Sequence, residues 1–460
     1  MSSVSIDTKR PVAALLRLAA PLAIAQIISV SIMTADFWKM AQLSAFDLAA
    51  GSLAIRYYQP FYFFGLGLLA VISPMTAQAL GGRDERGVRR TFRQGLVIAL
   101  GLGFLFYWPV YFGYYALPFL GQDDAVARYA ASFLFYSALT LPIFFVFLVM
   151  RFFTIAMGQP MLQLYATLLT LALNIILNEL LADGYGPIPA LGIEGVAIAT
   201  LLSYLAANLY FLHRIHYSPA FSGFNLLSRL WVMDWQMTKR QLRIGFPNGI
   251  NVMSETGMFA VAGLLMGVFG TAALAASAIT NQIAATTYMI PLSIAQATAI
   301  MVGHAAGANS LQKVEMTGRT SLWTGFWLSV LMMIIVYVWR QPLLELFIRA
   351  DDPLFEETLA VCLPLMIITA LFQIPDGIQA VQTALLRGLN DTTIPAVIAL
   401  VNFWGVGIGS AVIFGFLLGF GPAGIWAGIT AGLTANWLAL GWRWNWRINQ
   451  MRLGASLLAK

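Results

Sequence analysis

Long apolar stretches separated by short polar breaks run through almost the whole 460-residue chain. The chain is 59% hydrophobic and only 10% charged, whereas a soluble globular domain carries about 25% charged residues. This composition therefore excludes a soluble protein. A helix crosses a bilayer with about 20 mostly apolar residues, and it satisfies its own backbone polar groups in lipid. The chain is predicted to fold as a bundle of transmembrane helices.

The apolar stretches predict twelve transmembrane helices and hence an all-α membrane protein. The first stretch is too long for the apolar core of a cleavable signal peptide, so we interpret it as the first transmembrane helix. The predicted spans are 13–38, 47–78, 94–117, 127–150, 160–181, 190–213, 241–268, 272–305, 318–340, 357–386, 394–419 and 424–446.

The distribution of basic residues predicts the orientation of the chain. With a cytoplasmic N-terminus, most of the 26 Lys and Arg residues fall on the cytoplasmic side, including the run from Arg83 to Arg93. The opposite side holds acidic loops at Asp123–Asp124 and over residues 351–357. The positive-inside rule then places both termini in the cytoplasm. We expect a multi-pass protein of the bacterial inner membrane, and we expect no nucleic acid as a partner.

An internal repeat divides the chain into two lobes. Arg17–Pro21 (RLAAP) matches Arg243–Pro247 (RIGFP) at an offset of 226 residues. Each copy holds six predicted spans, an even number, so the lobes are parallel repeats related by a pseudo-two-fold axis along the membrane normal. We predict an N-terminal lobe at 1–213, a cytoplasmic linker at 214–240 and a C-terminal lobe at 241–460. Two lobes around a midplane cavity are typical of transporters.

Three carboxylic acids, Asp36, Glu255 and Asp376, lie inside predicted spans. An ionised side chain at the bilayer centre costs roughly 2.5–3.5 kcal/mol on insertion scales. Acids that remain there are expected to hold a proton, a sodium ion or a cationic substrate. A transporter that is not an enzyme is therefore the first hypothesis.

In the N-terminal lobe, four residues form a candidate coupling site. Asp36 lies late in the first helix, Asn174 and Asn178 share one face of the fifth at a spacing of i, i+4, and Thr200 lies on the sixth. Lys39 follows Asp36 by one turn and is a candidate partner for it. This set would suit a proton or a sodium ion, because hard cations take oxygen ligands. Taken singly, each amide or hydroxyl is more often a helix–helix contact.

In the C-terminal lobe, Glu255 and Asp376 are candidates for a second cation-binding pocket. Asp376 follows Pro375, a predicted kink, and Gln379 and Thr383 fall on its helical face. Two acids close together interact strongly, which suggests a basis for proton–cation exchange. If the coupling ion is sodium, these two acids and Asp36 are its candidate ligands.

Other motifs exclude several alternatives. Cys362 is the single cysteine, so a disulfide framework and a thiolate metal site are excluded. The sequence holds no Walker A motif, which excludes ATP hydrolysis by that route, and no prosthetic cofactor is expected. Gly405-x-Gly407-x-Gly409 and Gly415-x-x-x-Gly419 lie in one predicted helix and predict close helix packing.

Several motifs spread over nearly the whole chain point to one family. They are Pro21–Gln26 (PLAIAQ), Ser44–Ala50 (SAFDLAA) after Asp36, Pro74–Gln78 (PMTAQ), Pro247 with Glu255, Pro291–Ser293 (PLS) and Leu386–Thr392 (LRGLNDT). With the six-plus-six repeat, they resemble the multidrug and toxic compound extrusion (MATE) family, NorM-type branch. The resemblance implies antiport, in which drugs and other cationic or amphipathic compounds leave the cell in exchange for sodium ions or protons.

The resemblance also implies roles for single residues. Asn178 stands where another branch of the family has aspartate, which favours the NorM type. By position, the ion-coupling and substrate-binding residues are Asp36, Asn174, Asn178 and Thr200 in the N-terminal lobe and Glu255 and Asp376 in the C-terminal lobe.

The chain departs from the family pattern directly after Asp36. The family has a small, apolar stretch similar to DTVMAG there, whereas this chain reads Asp36-Phe37-Trp38-Lys39-Met40-Ala41. A lysine so close to the acid bears on the choice of ion and on substrate preference.

Four alternatives stay open at this point. A lipid-linked saccharide flippase of the same superfamily would line its cavity with arginine, and the buried charges here are acidic. An exporter of one specific metabolite would share every feature above. An intramembrane aspartyl protease needs motif contexts that Asp36 and Asp376 lack, and a structural or receptor protein does not require three buried acids. We expect a monomer.

Overall fold

The computed structural model describes residues 10–119, 121, 123–187, 189–228, 230, 232–347 and 355–458. Eleven helices in these ranges are long and apolar enough to cross a membrane. The last long helix, Gly421–Arg452, is not among these eleven. The predicted acidic loop over 351–357 lies outside the described residues, except for the helical backbone of 355–357. The two ends of the chain, 1–9 and 459–460, also lie outside them.

Twelve long helices, α1 to α12, follow one another along the described chain. Each predicted span overlaps one of them, and the all-α membrane fold is confirmed. The helices are α1 Pro11–Leu43, α2 Ala45–Gly81, α3 Glu85–Tyr111, α4 Asp124–Ala156, α5 Pro160–Ala182, α6 Ile193–Tyr217, α7 Trp235–Gly267, α8 Thr271–Gly307, α9 Leu311–Val338, α10 Phe355–Gly388, α11 Thr393–Leu417 and α12 Gly421–Arg452.

Helix α3 begins well before the predicted residue 94. Asp84 caps it, because the Asp84 carboxylate accepts a hydrogen bond from the Gly87 backbone N–H at 2.8 Å. Such a cap satisfies one of the free N–H groups at a helix start. Apolar stretches alone do not reveal this polar first turn, so the sequence prediction of the helix start was wrong.

The described chain forms two compact units. Residues 24–249 belong to the first unit, and residues 10–23 and 250–458 belong to the second. Aromatic side chains such as Phe92, Phe145 and Phe211 fill the core of the first unit. The boundaries after residues 23 and 249 differ by the repeat offset of 226. The lobe and linker boundaries inferred above stay predictions.

Part of the predicted linker is held against α3 in the first unit. Asp234 accepts a hydrogen bond from the Met237 N–H at 3.1 Å and pairs with Arg90, while Arg93 donates to the Leu226 carbonyl at 3.2 Å. The hydrogen bond from Arg90 lowers the pKa of the Asp234 carboxyl. The Arg90–Asp234 pair therefore stabilises the folded protein at pH values above the usual carboxyl pKa. This stabilisation is lost as the pH falls through the lowered pKa of Asp234. Because the pair is solvated, it contributes at most about 1 kcal/mol.

Glycines bring α11 and α12 into backbone contact. A Cβ added to Gly428 of α12 would lie 2.1 Å from the Ala411 backbone nitrogen of α11, and one added to Gly432 would lie 2.5 Å from the Gly407 Cα. Close approach of this kind is how small residues stabilise helix pairs in lipid. Gly407 and Gly415 thus take part in the predicted packing. For Gly405, Gly409 and Gly419, by contrast, an added Cβ would meet no described atom within 4 Å.

We predict that Gly428→Ala lowers the thermal stability of the purified protein by about 1–3 kcal/mol, because the added methyl group overpacks the α11–α12 contact. Gly405→Ala is the matched control. It adds the same atom in open space, so it should be neutral or slightly stabilising. Thermal unfolding in detergent measures both, and equal melting temperatures would contradict the close contact.

Candidate functional site

The carboxylate of Asp36 accepts hydrogen bonds from two neighbouring helices of the first unit. Its Oδ1 accepts from the Nδ2 of Asn174 at 2.9 Å and of Asn178 at 3.0 Å. Its Oδ2 accepts from the Thr200 hydroxyl at 2.9 Å. Both asparagines come from α5 and the threonine from α6. The structure therefore brings together all four residues predicted for the N-terminal coupling site.

All three donors to Asp36 are neutral, so they support an ionised carboxylate without cancelling its charge. A hydrogen bond to a charged group contributes about 1.5–3 kcal/mol, which is comparable with the cost of about 2.5–3.5 kcal/mol for inserting the charge. The Asn178 Oδ1 is also buried and accepts no hydrogen bond from the described residues. The cluster thus offers oxygen atoms to a proton or a hard cation.

Lys39 is not the partner of Asp36, and this prediction was wrong. Its Nζ donates to the Glu179 carboxylate at 2.8 Å and to Asp183 at 2.5 Å, at the far end of α5. The Lys39 side chain is 5% exposed, whereas its two partners are 60% and 50% exposed. The donors on α5 and α6 already occupy Asp36, and the long lysine stem reaches acids closer to water.

A buried arginine and two tyrosines close to this site were not predicted as site residues. Arg151 of α4 donates to the Gln26 side chain at 2.9 Å, and Tyr62 of α2 is hydrogen-bonded to Tyr204 of α6. Tyr204 interacts electrostatically with both Asp36 and Arg151. The sequence signal for this group is a single arginine late in the otherwise apolar α4.

The structure also brings together Glu255, Asp376 and Gln379, the residues of the predicted C-terminal pocket, within the second unit. The Glu255 carboxylate accepts a hydrogen bond from the Gln379 amide at 2.9 Å, and the Gln379 oxygen accepts from Asn436 at 2.8 Å. Asp376 is 3% exposed and interacts electrostatically with Glu255. Asn436 on α12 was not predicted, although it is the sole amide in an otherwise apolar and small-residue stretch of that helix.

Each acid of this pocket has few partners. The Asp376 Oδ1 is buried and has no hydrogen-bond partner among the described residues. Tyr288 of α8 interacts electrostatically with Glu255 and with Asp376. Nowhere in the described part of the chain do three or more Asp, Glu, His or Cys side chains gather as a metal centre. The pocket is therefore a pair of acids with an amide and a phenol around it.

Known proteins share both the sequence pattern and the fold. The MatE family model matches residues 21–180 and 247–413. The probable multidrug resistance protein NorM of Rhizobium meliloti (strain 1021) is 35% identical over 428 residues, which cover 93% of this chain and 92% of that protein. A protein of the same name from Pseudomonas putida is 31% identical over 95% of both chains.

Solved structures agree on the fold. A crystal structure of the eukaryotic MATE transporter AtDTX14 has a TM-score of 0.85 at 19% identity and covers 98% of this chain. An outward-facing MATE family transporter has a TM-score of 0.86 at 18% identity. The fold and the family model together define a multi-pass membrane transporter. The chain belongs to the MatE family, the MATE transporters.

We predict that Lys39→Gln lowers the stability of the purified protein by about 1 kcal/mol, because Glu179 and Asp183 lose a shared cation but remain hydrated. The hydrogen bonds to Asp36 should persist, since Lys39 makes none of them. Arg452→Gln, which breaks the exposed pair with Glu315, is the control and should change stability little. Thermal unfolding in detergent measures both variants. Equal melting temperatures would contradict the assignment of Glu179 and Asp183 as the partners of Lys39.

Proposed function

We propose that this protein is a secondary antiporter that exports cationic or amphipathic organic compounds in exchange for sodium ions or protons. The observation that carries the proposal is the buried Asp36 carboxylate, which is held by neutral donors alone. Relatives named as multidrug resistance proteins support export of drugs and other toxic compounds. The positive-inside pattern supports the inner membrane with both termini in the cytoplasm.

In the proposed cycle, Asp36 binds either the coupling ion or the cationic substrate, but not both. From the outside, the ion binds the carboxylate and displaces the substrate, because one charge satisfies the site. When the site faces the cytoplasm, the ion leaves and Asp36 becomes free to bind the next substrate. Exchange of one monovalent ion for one monovalent organic cation at Asp36 moves no net charge. A second ion that enters in the same cycle moves one positive charge inward, and this supplies about 2.3 kcal/mol per 100 mV of membrane potential.

In the same cycle, the Glu255–Asp376 pair serves as a second ion site. The two carboxylates repel each other when both are ionised, so a bound proton or sodium ion stabilises the pair. Gln379 holds Glu255 in place and is itself held by Asn436. Gln379 is also hydrogen-bonded to Asp376, but the Asp376 Oδ1 remains available to bind the ion.

We predict that Asp36→Asn abolishes drug efflux, with a loss of roughly tenfold or more, because the amide cannot bind a proton or balance a cation. The measurement is ethidium efflux from cells that lack their own pumps, with sodium and pH gradients imposed separately. Asp47→Asn is the control: Asp47 is also buried in a helix but is hydrogen-bonded to the Tyr129 hydroxyl at 2.7 Å. Full drug resistance in the Asp36 variant at equal expression would refute the proposal.

We predict that Glu255→Gln and Asp376→Asn each weaken the response of efflux to the driving ion, because the pair loses a charge. The double variant should lose little more than either single variant, since residues that act as a unit are not additive. The same efflux assay, run over a series of ion gradients, measures the ion dependence. An unchanged dependence in both single variants would remove the pair from the mechanism.

A further inference from the structure

A row of polar side chains runs along one face of α10 from the acid pair to the C-terminal end of the helix. It comprises Asp376, Gln379, Thr383 and Arg387, at spacings of three and four residues, which place them on one face. At 1.5 Å per residue the row is about 16 Å long. Only Asp376 and Gln379 take part in the acid site already described.

Atoms of this row are buried without partners. The Asp376 Oδ1, the Thr383 hydroxyl and the Arg387 Nε each have no hydrogen-bond partner in the described part of the chain. Leaving such a group unsatisfied is destabilising, and proteins generally satisfy it with buried water. Three such atoms on one helix face are therefore sites at which buried water would be stabilised.

Neighbouring helices of the second unit add polar groups to the same row. Tyr288 of α8 interacts electrostatically with both Asp376 and Arg387, so it lies near both ends of the row. Asn436 of α12 donates to Gln379 and has a buried Oδ1 without a partner among the described residues. Three helices therefore contribute polar groups around the row.

The exposure of whole residues rises along the row, although the Thr383 hydroxyl and the Arg387 Nε are themselves buried. Asp376 and Gln379 are 3% and 2% exposed, whereas Thr383 and Arg387 are half-buried. Arg387 lies at the end of α10 that the positive-inside pattern predicts to be cytoplasmic. Val381, on another face of α10, is fully buried and packs on α9 at Gly325.

We propose that this polar row is a hydrated path through which the Glu255–Asp376 pair exchanges its coupling ion with the cytoplasm. The proposal rests on the function inferred above and adds the route by which the ion leaves. Gln379 and Thr383 line the path, and Arg387 marks its cytoplasmic end. Water in the path satisfies the orphaned atoms and carries the proton or the sodium ion.

Cysteine labelling tests the path directly. Cys362 is the single native cysteine, so Cys362→Ala gives a cysteine-free background. In that background, Gln379→Cys is compared with Val381→Cys, because both positions are at most 2% exposed. The probe is a small, charged, membrane-impermeant methanethiosulfonate reagent, applied to inside-out or right-side-out vesicles.

We expect the Gln379→Cys variant to react about tenfold or more faster than the Val381→Cys variant, because a thiol must ionise to react and apolar surroundings oppose this. The faster reaction should occur with the reagent on the cytoplasmic side. Equal, slow reaction at both positions would overturn the path, and so would preferential reaction from the opposite side.

A second pair keeps the test decisive if the Gln379 variant fails to fold, as judged by size-exclusion chromatography. Thr383→Cys is then compared with Ile374→Cys, which is likewise half-buried on α10, and the same difference is expected. Labelling needs no transport, so the proposed path and the proposed antiport function can fail independently of each other. Fast labelling of the cysteine variant, with no ethidium efflux by the unsubstituted chain, would keep the path and refute export of this substrate. Slow labelling, with gradient-driven efflux by the unsubstituted chain, would do the reverse.

Discussion

The rest of the structure depends on the high free-energy cost of a carboxylate inside a bilayer. Asp36 is tolerated because two amides and a hydroxyl from α5 and α6 donate hydrogen bonds to it. These donors lower the cost but leave the negative charge uncancelled. A site that is stable yet still attracts a cation is what an exchanger requires, since ion and substrate must compete for the same charge.

The second unit holds its acids in a related way, although the residues differ. A side-chain amide again supports the acid, with Gln379 bound to Glu255 and Asn436 bound to Gln379. The difference lies in the second acid, Asp376, whose free oxygen begins the polar row along α10. One unit thus has a single acid with several donors, and the other has two acids with few donors.

Much of the fold and part of the site follow from the sequence because they depend on local patterns. The length of apolar stretches predicts the helices, and the i, i+4 spacing of Asn174 and Asn178 predicts their common face. Contacts between distant helices are not encoded locally, so Asn436 was not predicted as a partner of Gln379. Lys39 shows the same limit, because a long side chain reaches several acids and only the packing of α1 on α5 selects among them.

The central claim is that an ion gradient alone drives substrate movement through this chain. The most direct test uses purified protein in liposomes that contain no nucleotide, with a fluorescent organic cation as the substrate and either a sodium or a pH gradient imposed. The account predicts that substrate moves against the flow of one of these ions and that the movement stops when the gradient is collapsed. Substrate movement that is indifferent to both gradients, in protein shown to be folded, would contradict it.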